Sequence, residues 1–265
     1  MSRPVQWDAA EYAANSVPQH EWARELMAKL QLRGTEHILD VGCGDGKVTA
    51  ELARAVPRGS VTGIDASSQM VEFAKGKFPY SRLPNAEFHE MDARQIRFKR
   101  QFDILFSNAT LHWVDDHPAF LKSAAKCLRP GGRLVVSCGG KGNAHDVFLA
   151  LRPVMRLKRW RDYFRKMPAP YFFHSPGEYR KWLQQFGLRC NEVRLAPKDA
   201  IYAGRDGFAT WLRTTWLPYT QQVPATAREE FIAAVTDRYL AKHPPDADGQ
   251  VHVRMVRLEI DAVKV

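Results

Sequence analysis

The stretch His37-Ile-Leu-Asp-Val-Gly-Cys-Gly-Asp-Gly46 runs a short apolar segment directly into three glycines that are spaced two residues apart. A helix-like segment, Lys47–Ala55, follows at once. A strand, a glycine turn and a helix in this order open a ligand crevice at the carboxyl end of a strand in an α/β fold. The stretch therefore predicts a ligand site in the loop that joins the strand to the helix.

The spacing of the glycines indicates which ligand the loop suits. A dinucleotide fingerprint needs G-x-G-x-x-G, and its third glycine would fall at Lys47, whereas this loop reads G-x-G-x-G. Asp40 and Asp45 flank the loop, and carboxylates at these positions repel a pyrophosphate but attract a cation. A phosphate-free nucleoside that carries a sulfonium meets these requirements.

Between residues 36 and 137 short apolar segments alternate with helical ones. This alternation predicts a parallel sheet that is covered by helices on both faces. The carboxyl ends of parallel strands line one crevice, so polar residues that follow the strands should converge on one ligand. These polar residues are Asp40, Asp65, Asp92 and Asn108. The predicted strands are Ile38–Val41, Val61–Asp65, Ala86–Met91, Phe102–Ser107 and Arg133–Ser137.

The segment Leu39-Asp-Val-Gly-Cys-Gly-Asp-Gly46 resembles motif I of the class I S-adenosylmethionine-dependent methyltransferases. The resemblance implies an enzyme of the EC 2.1.1 class that uses S-adenosyl-L-methionine and releases S-adenosyl-L-homocysteine. It also implies a Rossmann-like seven-stranded sheet with helices on both faces, whose sixth and seventh strands form an antiparallel pair. Four further motifs support it in order along the chain: Gly63-Ile-Asp65, Met91-Asp-Ala93, Phe106-Ser-Asn-Ala-Thr-Leu-His-Trp113 and Leu128-Arg-Pro-Gly-Gly-Arg-Leu134.

The resemblance also implies a set of cofactor-binding residues. Asp65 ends the second strand about twenty residues after the loop, where an acidic residue can bind ribose hydroxyls. Met91-Asp-Ala93 resembles the end of the third strand that contacts the adenine, and we expect Asp40 to act indirectly by fixing the glycine loop. The expected cofactor-binding residues are Asp40, Gly42, Cys43, Gly44, Asp65, Ala66, Met70, Asp92, Ala93 and Asn108.

Two segments outside the sheet are expected to reach the substrate. An amphipathic helix within 7–32 resembles the N-terminal lid of related enzymes, with Trp7, Tyr12 and Gln19 as contact residues, although the aromatic rings could equally attach the helix to the core. The segment Gly204 to Lys242, before the last strand, is expected to supply two helices that form a cap. Packing within the cap is the alternative role of its aromatic residues. The cap residues expected at the substrate are Arg213, Trp216 and Tyr219. We therefore predict a lid at 1–35 and a Rossmann-like domain at 36–265, with the cap at about 200–245.

The methyl acceptor decides which chemistry the site needs. A carboxylate is ionised at neutral pH, whereas a hydroxyl requires a base. His112 could therefore be a general base, a donor that orients a carboxylate, or a packed histidine, and the expected catalytic residues are His112 and Trp113. The chain resembles the trans-aconitate and juvenile hormone acid methyltransferase families, which esterify small-molecule acids. Two alternatives stay open: methylation of a hydroxyl, and methylation of an acyl group on an acidic carrier protein.

Composition limits the class of protein further. The 265 residues carry a formal charge of +10, which favours anionic partners, and 45% of them are hydrophobic, which is enough for a full core. A nucleic-acid substrate is disfavoured because the fourth strand lacks the Asn-Pro-Pro-Tyr type of motif used on flipped bases. No apolar run reaches the length of a membrane span and the start lacks a signal peptide, so the cytoplasm is the expected compartment.

The cysteines and histidines do not predict a metal site. The four cysteines are scattered without a C-x-x-C pair, and His112 with His117 offers only one loosely placed couple. We therefore expect no metal requirement.

Three local patterns give further predictions. Asn143 to Lys166 reads as one long helix with a basic face, more typical of a solvated surface than of a partner site. Asp115 and Asp116 should cap the next helix. Ser175-Pro-Gly-Glu178 is typical of a helix start with proline at its first position.

Overall fold

The computed structural model describes residues 17–98 and 101–265, without the side chains of residues 17–19. Trp7 and Tyr12 lie outside the described residues, as does the side chain of Gln19. The strands are β1 (His37–Val41), β2 (Ser60–Asp65), β3 (Ala86–Glu90), β4 (Phe102–Asn108), β5 (Leu128–Gly139), β6 (Leu188–Ala203) and β7 (Gln250–Lys264).

One seven-stranded sheet runs in the order β3-β2-β1-β4-β5-β7-β6. Parallel pairing joins β3 to β2, β2 to β1, β1 to β4 and β4 to β5, and β7 runs antiparallel to β5. This arrangement confirms the predicted Rossmann-like sheet. The strand order reverses between β1 and β4, and an open α/β sheet binds its ligand at the carboxyl ends of the strands at such a point.

Both faces of the sheet are buried around the central strands β1 and β4. In β1 only His37 is exposed, which is the burial expected of a parallel strand with helices on both sides. One face packs a cluster that includes Leu105 and Phe120, and the other packs a cluster that includes Ile38 and Phe106. The rigid sheet therefore fixes the positions at which its strands end.

The helices and strands alternate along the first part of the chain, as predicted. The helices are α1 (Val17–Ala28), α2 (Lys47–Ala55), α3 (Ser68–Lys77), α4 (His117–Cys127), α5 (His145–Met155), α6 (Arg161–Phe164), α7 (Pro176–Gln185), α8 (Gly204–Thr215), α9 (Leu217–Thr220) and α10 (Ala225–Leu240).

The single long helix predicted over 143–166 is wrong. The chain forms α5 and the short α6, separated by a turn. Pro153 lies in the last turn of α5, where it supplies no backbone N–H and disfavours helical geometry in the residue before it. The helix ends at Met155, where the backbone bonds shorten to three-residue turns: the N–H of Arg156 donates to the carbonyl of Pro153, and the N–H of Leu157 donates to the carbonyl of Val154. The segment 204–242 likewise holds three helices rather than the two expected.

The predicted helix starts are largely confirmed. The side chain of Asp116 accepts a hydrogen bond from the N–H of Ala119 and caps α4. Ser175 and Glu178 form a complete capping box at the start of α7. Asp115 does not cap the helix, because its carboxylate instead accepts a 2.7 Å hydrogen bond from Arg94.

The chain contains two compact units. The described part of the first comprises 17–98, 101–141, 171–196 and 257–265, and the second comprises 142–170 and 197–256. Within the second unit, Trp160 and Phe164 pack their rings against Phe231 of α10. A lid at 1–35 and a cap at about 200–245 stay a prediction. In the described ranges, no helix is both long enough and apolar enough to cross a bilayer.

Candidate active site

The glycine loop after β1 is attached to the end of β2. Gly42 and Gly46 both have φ of +78°, in the left-handed region that favours glycine. The N–H groups of Gly42 and Cys43 donate to the carbonyl of Ile64 at 2.7 and 3.0 Å, and the N–H of Gly44 donates to Oδ2 of Asp65 at 3.0 Å. Asp65 therefore holds the loop in place while standing at the carboxyl end of its own strand.

The loop also packs tightly against the end of β4. A Cβ atom added at Gly42 would lie 2.0 Å from Oγ1 of Thr110. The Thr110 hydroxyl donates to the carbonyl of Gly42 at 3.2 Å. The backbone of the loop and the segment after β4 can approach this closely only because residue 42 has no side chain.

The two acids that flank the loop have different environments. Asp40 is buried and accepts a 2.6 Å hydrogen bond from the hydroxyl of Thr49. Burial, reinforced by the nearby charge of Asp65, raises the pKa of Asp40 to about 7 against the opposing effect of that hydrogen bond. Asp45 pairs with Lys47 at 3.3 Å and Lys77 at 3.2 Å, so its charge is balanced within the protein and, contrary to our expectation, is not left for a cation.

Asp92 and Ala93 follow β3 near the same edge of the sheet. The Asp92 side chain caps a short 3₁₀ helix, Ala93–Gln95, by accepting from the N–H of Arg94. The guanidinium of Arg94 binds both oxygens of Asp92 and lowers the pKa of that carboxyl. Ala93 is buried, and the Arg94 contacts hold the carboxylate beside it in one orientation.

The glycine loop and the residues at the ends of β2 and β3 are suited to bind S-adenosylmethionine. The glycine backbone can approach a nucleoside closely, and the loop lacks the third glycine of the dinucleotide fingerprint. Asp65 places a carboxylate at the end of β2, where ribose hydroxyls can donate to it, and burial raises its pKa. Met70 is buried in the first turn of α3, Cys43 is also buried, and Ala66 is exposed beside Asp65. The predicted cofactor roles of these side chains stay predictions.

His112 stands on the 3₁₀ turn Leu111–Trp113 that follows β4. The backbone N–H of Gly139, at the end of β5, donates to Nδ1 of His112 at 3.3 Å. A ring nitrogen that accepts this bond carries no proton, so neutral His112 carries its proton on Nε2. Burial, followed by the positive charge of Arg257, lowers the pKa of His112 to about 3. The ring is therefore neutral at physiological pH and is a hydrogen-bond donor through Nε2.

An aromatic wall surrounds this imidazole. We use the name aromatic wall for Trp113, Tyr171 and Phe173, whose ring centroids lie 5.7, 6.1 and 6.1 Å from that of His112. The N–H of Phe172 donates to the carbonyl of His112 at 2.9 Å and anchors the segment 171–173 beside the 3₁₀ turn. Sequence reasoning missed Tyr171 and Phe173, because they lie far along the chain in a segment without a recognised motif.

Arg257 is a third residue that sequence reasoning missed. It lies in β7 opposite Gly139 and is 3% exposed. Its Nη2 donates to the carbonyl of Ser137 at 2.7 Å and reaches Oδ1 of Asn108 at 3.5 Å. The only signal in the sequence is a charged residue beside apolar ones in the last strand. The structure thus brings a cation to the ends of β4 and β5.

Three of the other predicted substrate residues, Arg213, Trp216 and Tyr219, belong to the second unit. In the second unit, Arg213 forms an ion pair with Glu229, with nitrogen–oxygen distances of 2.8 and 2.5 Å. Trp216 and Tyr219 are buried and pack against each other and against Phe148. Substrate contact by these three residues, by Trp7 and Tyr12, and by Gln19 stays a prediction.

The fold, the glycine loop and the strand-end carboxylates define a class I methyltransferase, and residues 38–132 match the family model of the methyltransferase domain. The chain belongs to the S-adenosylmethionine-dependent methyltransferases. A trans-aconitate 2-methyltransferase from Methylobacterium nodulans is 30% identical over 95% of this chain and 96% of its own length. Another, from Agrobacterium fabrum, is 31% identical over 97% of this chain and 99% of its own length.

A solved structure agrees in fold. Geranyl diphosphate C-methyltransferase from Streptomyces coelicolor, in complex with Mg²⁺, geranyl-S-thiolodiphosphate and S-adenosyl-L-homocysteine, superposes with a TM-score of 0.57 at 16% identity. The match covers 93% of this chain and 76% of that chain. In the part of this chain that the structure describes, no group of three or more His, Cys, Asp or Glu side chains is arranged to hold a metal ion.

Proposed function

We propose that this methyltransferase converts the carboxylate of a small organic acid into a methyl ester. The observation that carries the proposal is the hydrogen bond from the Gly139 N–H to Nδ1 of His112. It leaves Nε2–H as a neutral donor, and a carboxylate accepts such a donor well. The names of the Methylobacterium and Agrobacterium relatives support an acid as the acceptor.

The state of His112 argues against methylation of a hydroxyl. A general base needs a pKa near the working pH and a free lone pair toward the proton that it removes. The pKa of His112 is lowered to about 3, and the lone pair on Nδ1 already accepts a backbone hydrogen bond. A carboxylic acid needs no base, because with a reference pKa near 4 it is ionised at neutral pH.

A neutral donor also suits the change of charge during esterification. The attacking carboxylate loses its negative charge as the O–CH₃ bond forms, so a cation on that carboxylate would stabilise the ground state more than the transition state. The imidazole of His112 can orient the carboxylate without this penalty. The aromatic wall limits where the acid can lie and excludes water from it, and orientation is the main contribution that a displacement of this kind needs.

The chain's own residues would hold the cofactor. The Asp65 carboxylate would bind the ribose hydroxyls, the glycine loop would hold the amino-acid end, and Asp92 with Ala93 would hold the adenine. When bound, S-adenosylmethionine supplies a methyl carbon whose bond to sulfur breaks with the electron pair staying on sulfur, which leaves neutral S-adenosylhomocysteine. No proton is transferred when a carboxylate accepts that methyl group, so no side chain has to act as an acid or base.

A labelled-methyl transfer screen tests this function. The acceptors are trans-aconitate, dicarboxylic acids, fatty acids, phenols and an acyl carrier protein. We expect a product from an organic acid whose label is released by mild base, because methyl esters hydrolyse in base and methyl ethers do not. Transfer only to phenols, as a base-stable product, would contradict the proposal. Transfer only to the carrier protein would replace the small molecule with a protein-bound acid.

A further inference from the structure

Arg257 brings a fixed positive charge to the neighbourhood of His112. The residue that pairs with it across β5 and β7 is Gly139, whose N–H binds His112. Burial is the main cause of the lowered pKa of His112, and the positive charge of Arg257 is the second. The guanidinium therefore lies within electrostatic reach of the imidazole. Both groups therefore border the same end of the sheet.

The guanidinium is held in one orientation. Its Nε donates to the hydroxyl of Ser137 at 3.3 Å, and its Nη2 donates to the carbonyl of the same residue at 2.7 Å. The indole of Trp22, in α1, lies under the guanidinium with 5.2 Å from its carbon to the ring centroid. Because arginine stays charged at any physiological pH, a buried arginine fixed in this way is suited to attract an anion.

This cation does not suit the carboxylate that is methylated. Its attraction would be lost as that group becomes a neutral ester, so binding there would raise the barrier. A carboxylate that does not react keeps its charge through the reaction, and an arginine that binds it contributes equally to the ground state and the transition state. Arg257 can therefore increase affinity for such a group without slowing the chemistry.

We infer that Arg257 binds a second, non-reacting carboxylate of the acceptor while His112 orients the reacting one. The inference rests on the proposed function and narrows it: the substrate is a di- or tricarboxylic acid with a short spacing between its acid groups. Arg257 is then the residue that selects polyanionic acids over monocarboxylic acids of the same shape.

Paired acids test the inference by calorimetry on protein saturated with S-adenosylhomocysteine. Fumarate and crotonate share one carbon skeleton, and crotonate has a methyl group in place of the second carboxylate. Wild-type protein should bind fumarate at least about tenfold more tightly than crotonate, since a charge-assisted hydrogen bond contributes to only one of them. Arg257→Gln should remove this preference and leave crotonate binding unchanged. Arg254→Gln, an exposed arginine on the same strand, is the matched control and should keep the preference.

Each other outcome overturns the inference. Equal binding of the two acids by wild-type protein would overturn it, as would an equal loss for both acids in Arg257→Gln, which would indicate a structural role. Unchanged affinity for S-adenosylhomocysteine shows that the variant folds. If Arg257→Gln does not fold, Arg257→Lys decides: lysine keeps the charge but loses the bonds to Ser137 that fix the guanidinium, so it should retain only part of the preference, and full retention overturns the role of the fixed guanidinium.

Methyl transfer to the same two acids separates this inference from the proposed function. Ester formation on fumarate and crotonate with equal kcat/KM leaves the function intact and overturns the role of Arg257. Failure of both acids to bind or react, together with methylation of a phenol, overturns both proposals.

Discussion

The backbone N–H of Gly139 donates a hydrogen bond to Nδ1 of His112, so the end of β5 determines which ring nitrogen of a residue after β4 carries the proton. The two strands are parallel neighbours, and Asn108 at the end of β4 pairs with Ser137, two residues before Gly139. The protonation state of the imidazole is thus set by the rigid sheet rather than by a mobile loop.

Asp65→Ala should weaken cofactor binding. The substitution removes the expected ribose contact and also the support of the Gly44 N–H, and charge-assisted hydrogen bonds of this kind contribute about 1.5–3 kcal/mol each. Calorimetric titration with S-adenosylhomocysteine should show affinity lower by one to two orders of magnitude, since about 1.4 kcal/mol corresponds to a factor of ten. Asp65→Asn should lose less, because its oxygen can still accept. Unchanged affinity in the alanine variant would disprove the assignment.

Gly42→Ala should destabilise the loop. The added methyl group would overlap Thr110, and the φ of +78° is unfavourable for alanine, so we expect a loss of about 1–3 kcal/mol in the free energy of unfolding and weaker cofactor binding. Gly76→Ala in α3 is the matched control. It meets no atom within 4 Å and should be neutral or stabilising by about 0.5–1 kcal/mol. Urea unfolding measures both variants, and equal stability would contradict the tight approach to Thr110.

Stability should depend on His117 in mildly acidic solution. This histidine is 1% exposed, contacts the Tyr179 hydroxyl at 2.5 Å and faces His174, which in turn binds Glu178. Burial, followed by the charge of His174, lowers the pKa of His117 from 6.5 to about 4. Between these values the unfolded chain binds more protons than the folded protein, so the contribution of His117 is present above pH 6.5 and is lost as the pH falls toward about 4.

The variant His117→Gln separates the effect of His117 on the free energy of unfolding from the effects of other titrating groups. Asp40, whose pKa is raised to about 7, acts in the opposite direction, and His112 acts in the same direction. His117→Gln should therefore reduce the loss of unfolding free energy over this pH range by an amount on the order of 1–2 kcal/mol. Urea unfolding at a series of pH values gives the comparison. Parallel curves for the two proteins would show that His117 does not titrate in this way.

Metal removal should leave activity unchanged. Methyl transfer to a carboxylate needs no Lewis acid to ionise the acceptor, and the residues that we assign to the site bind through hydrogen bonds. Dialysis against a chelator followed by the labelled-methyl assay is the measurement. Activity that is lost on chelation and restored by added magnesium would contradict this expectation.

The parallel strands and the glycine loop were predictable because their determinants are local. Gly42, Gly44 and Asp65 follow their strands directly, and the period of the apolar residues shows where each strand ends. Arg257 and Tyr171 were not predictable in the same way, since each reaches the site through pairing with a segment distant in sequence. From the sequence of β7 alone, Arg257 looks like a residue that faces solvent. Only the pairing of β7 with β5 shows that it lies opposite Gly139.

The predicted helix over 143–166 failed for a related reason. Its apolar stripe and basic face are compatible with one helix, but the effect of Pro153 on the chain after it depends on packing that the periodicity does not show. Trp160 and Phe164 are held by Phe231, which lies on α10 more than sixty residues away. The sequence pattern correctly shows an apolar stripe, but tertiary contacts determine where the helix ends.

The most direct test of the central claim is the pH dependence of methyl transfer by wild-type enzyme and His112→Gln with the best acid from the screen. Glutamine can still donate a hydrogen bond, so the variant should keep measurable turnover with a raised KM. From about pH 6 to about pH 9 the kcat of both enzymes should be nearly constant, because the acid is already ionised. A loss of about 10²–10⁴-fold in kcat that higher pH partly restores would show that His112 removes a proton from a hydroxyl, and it would contradict carboxylate methylation.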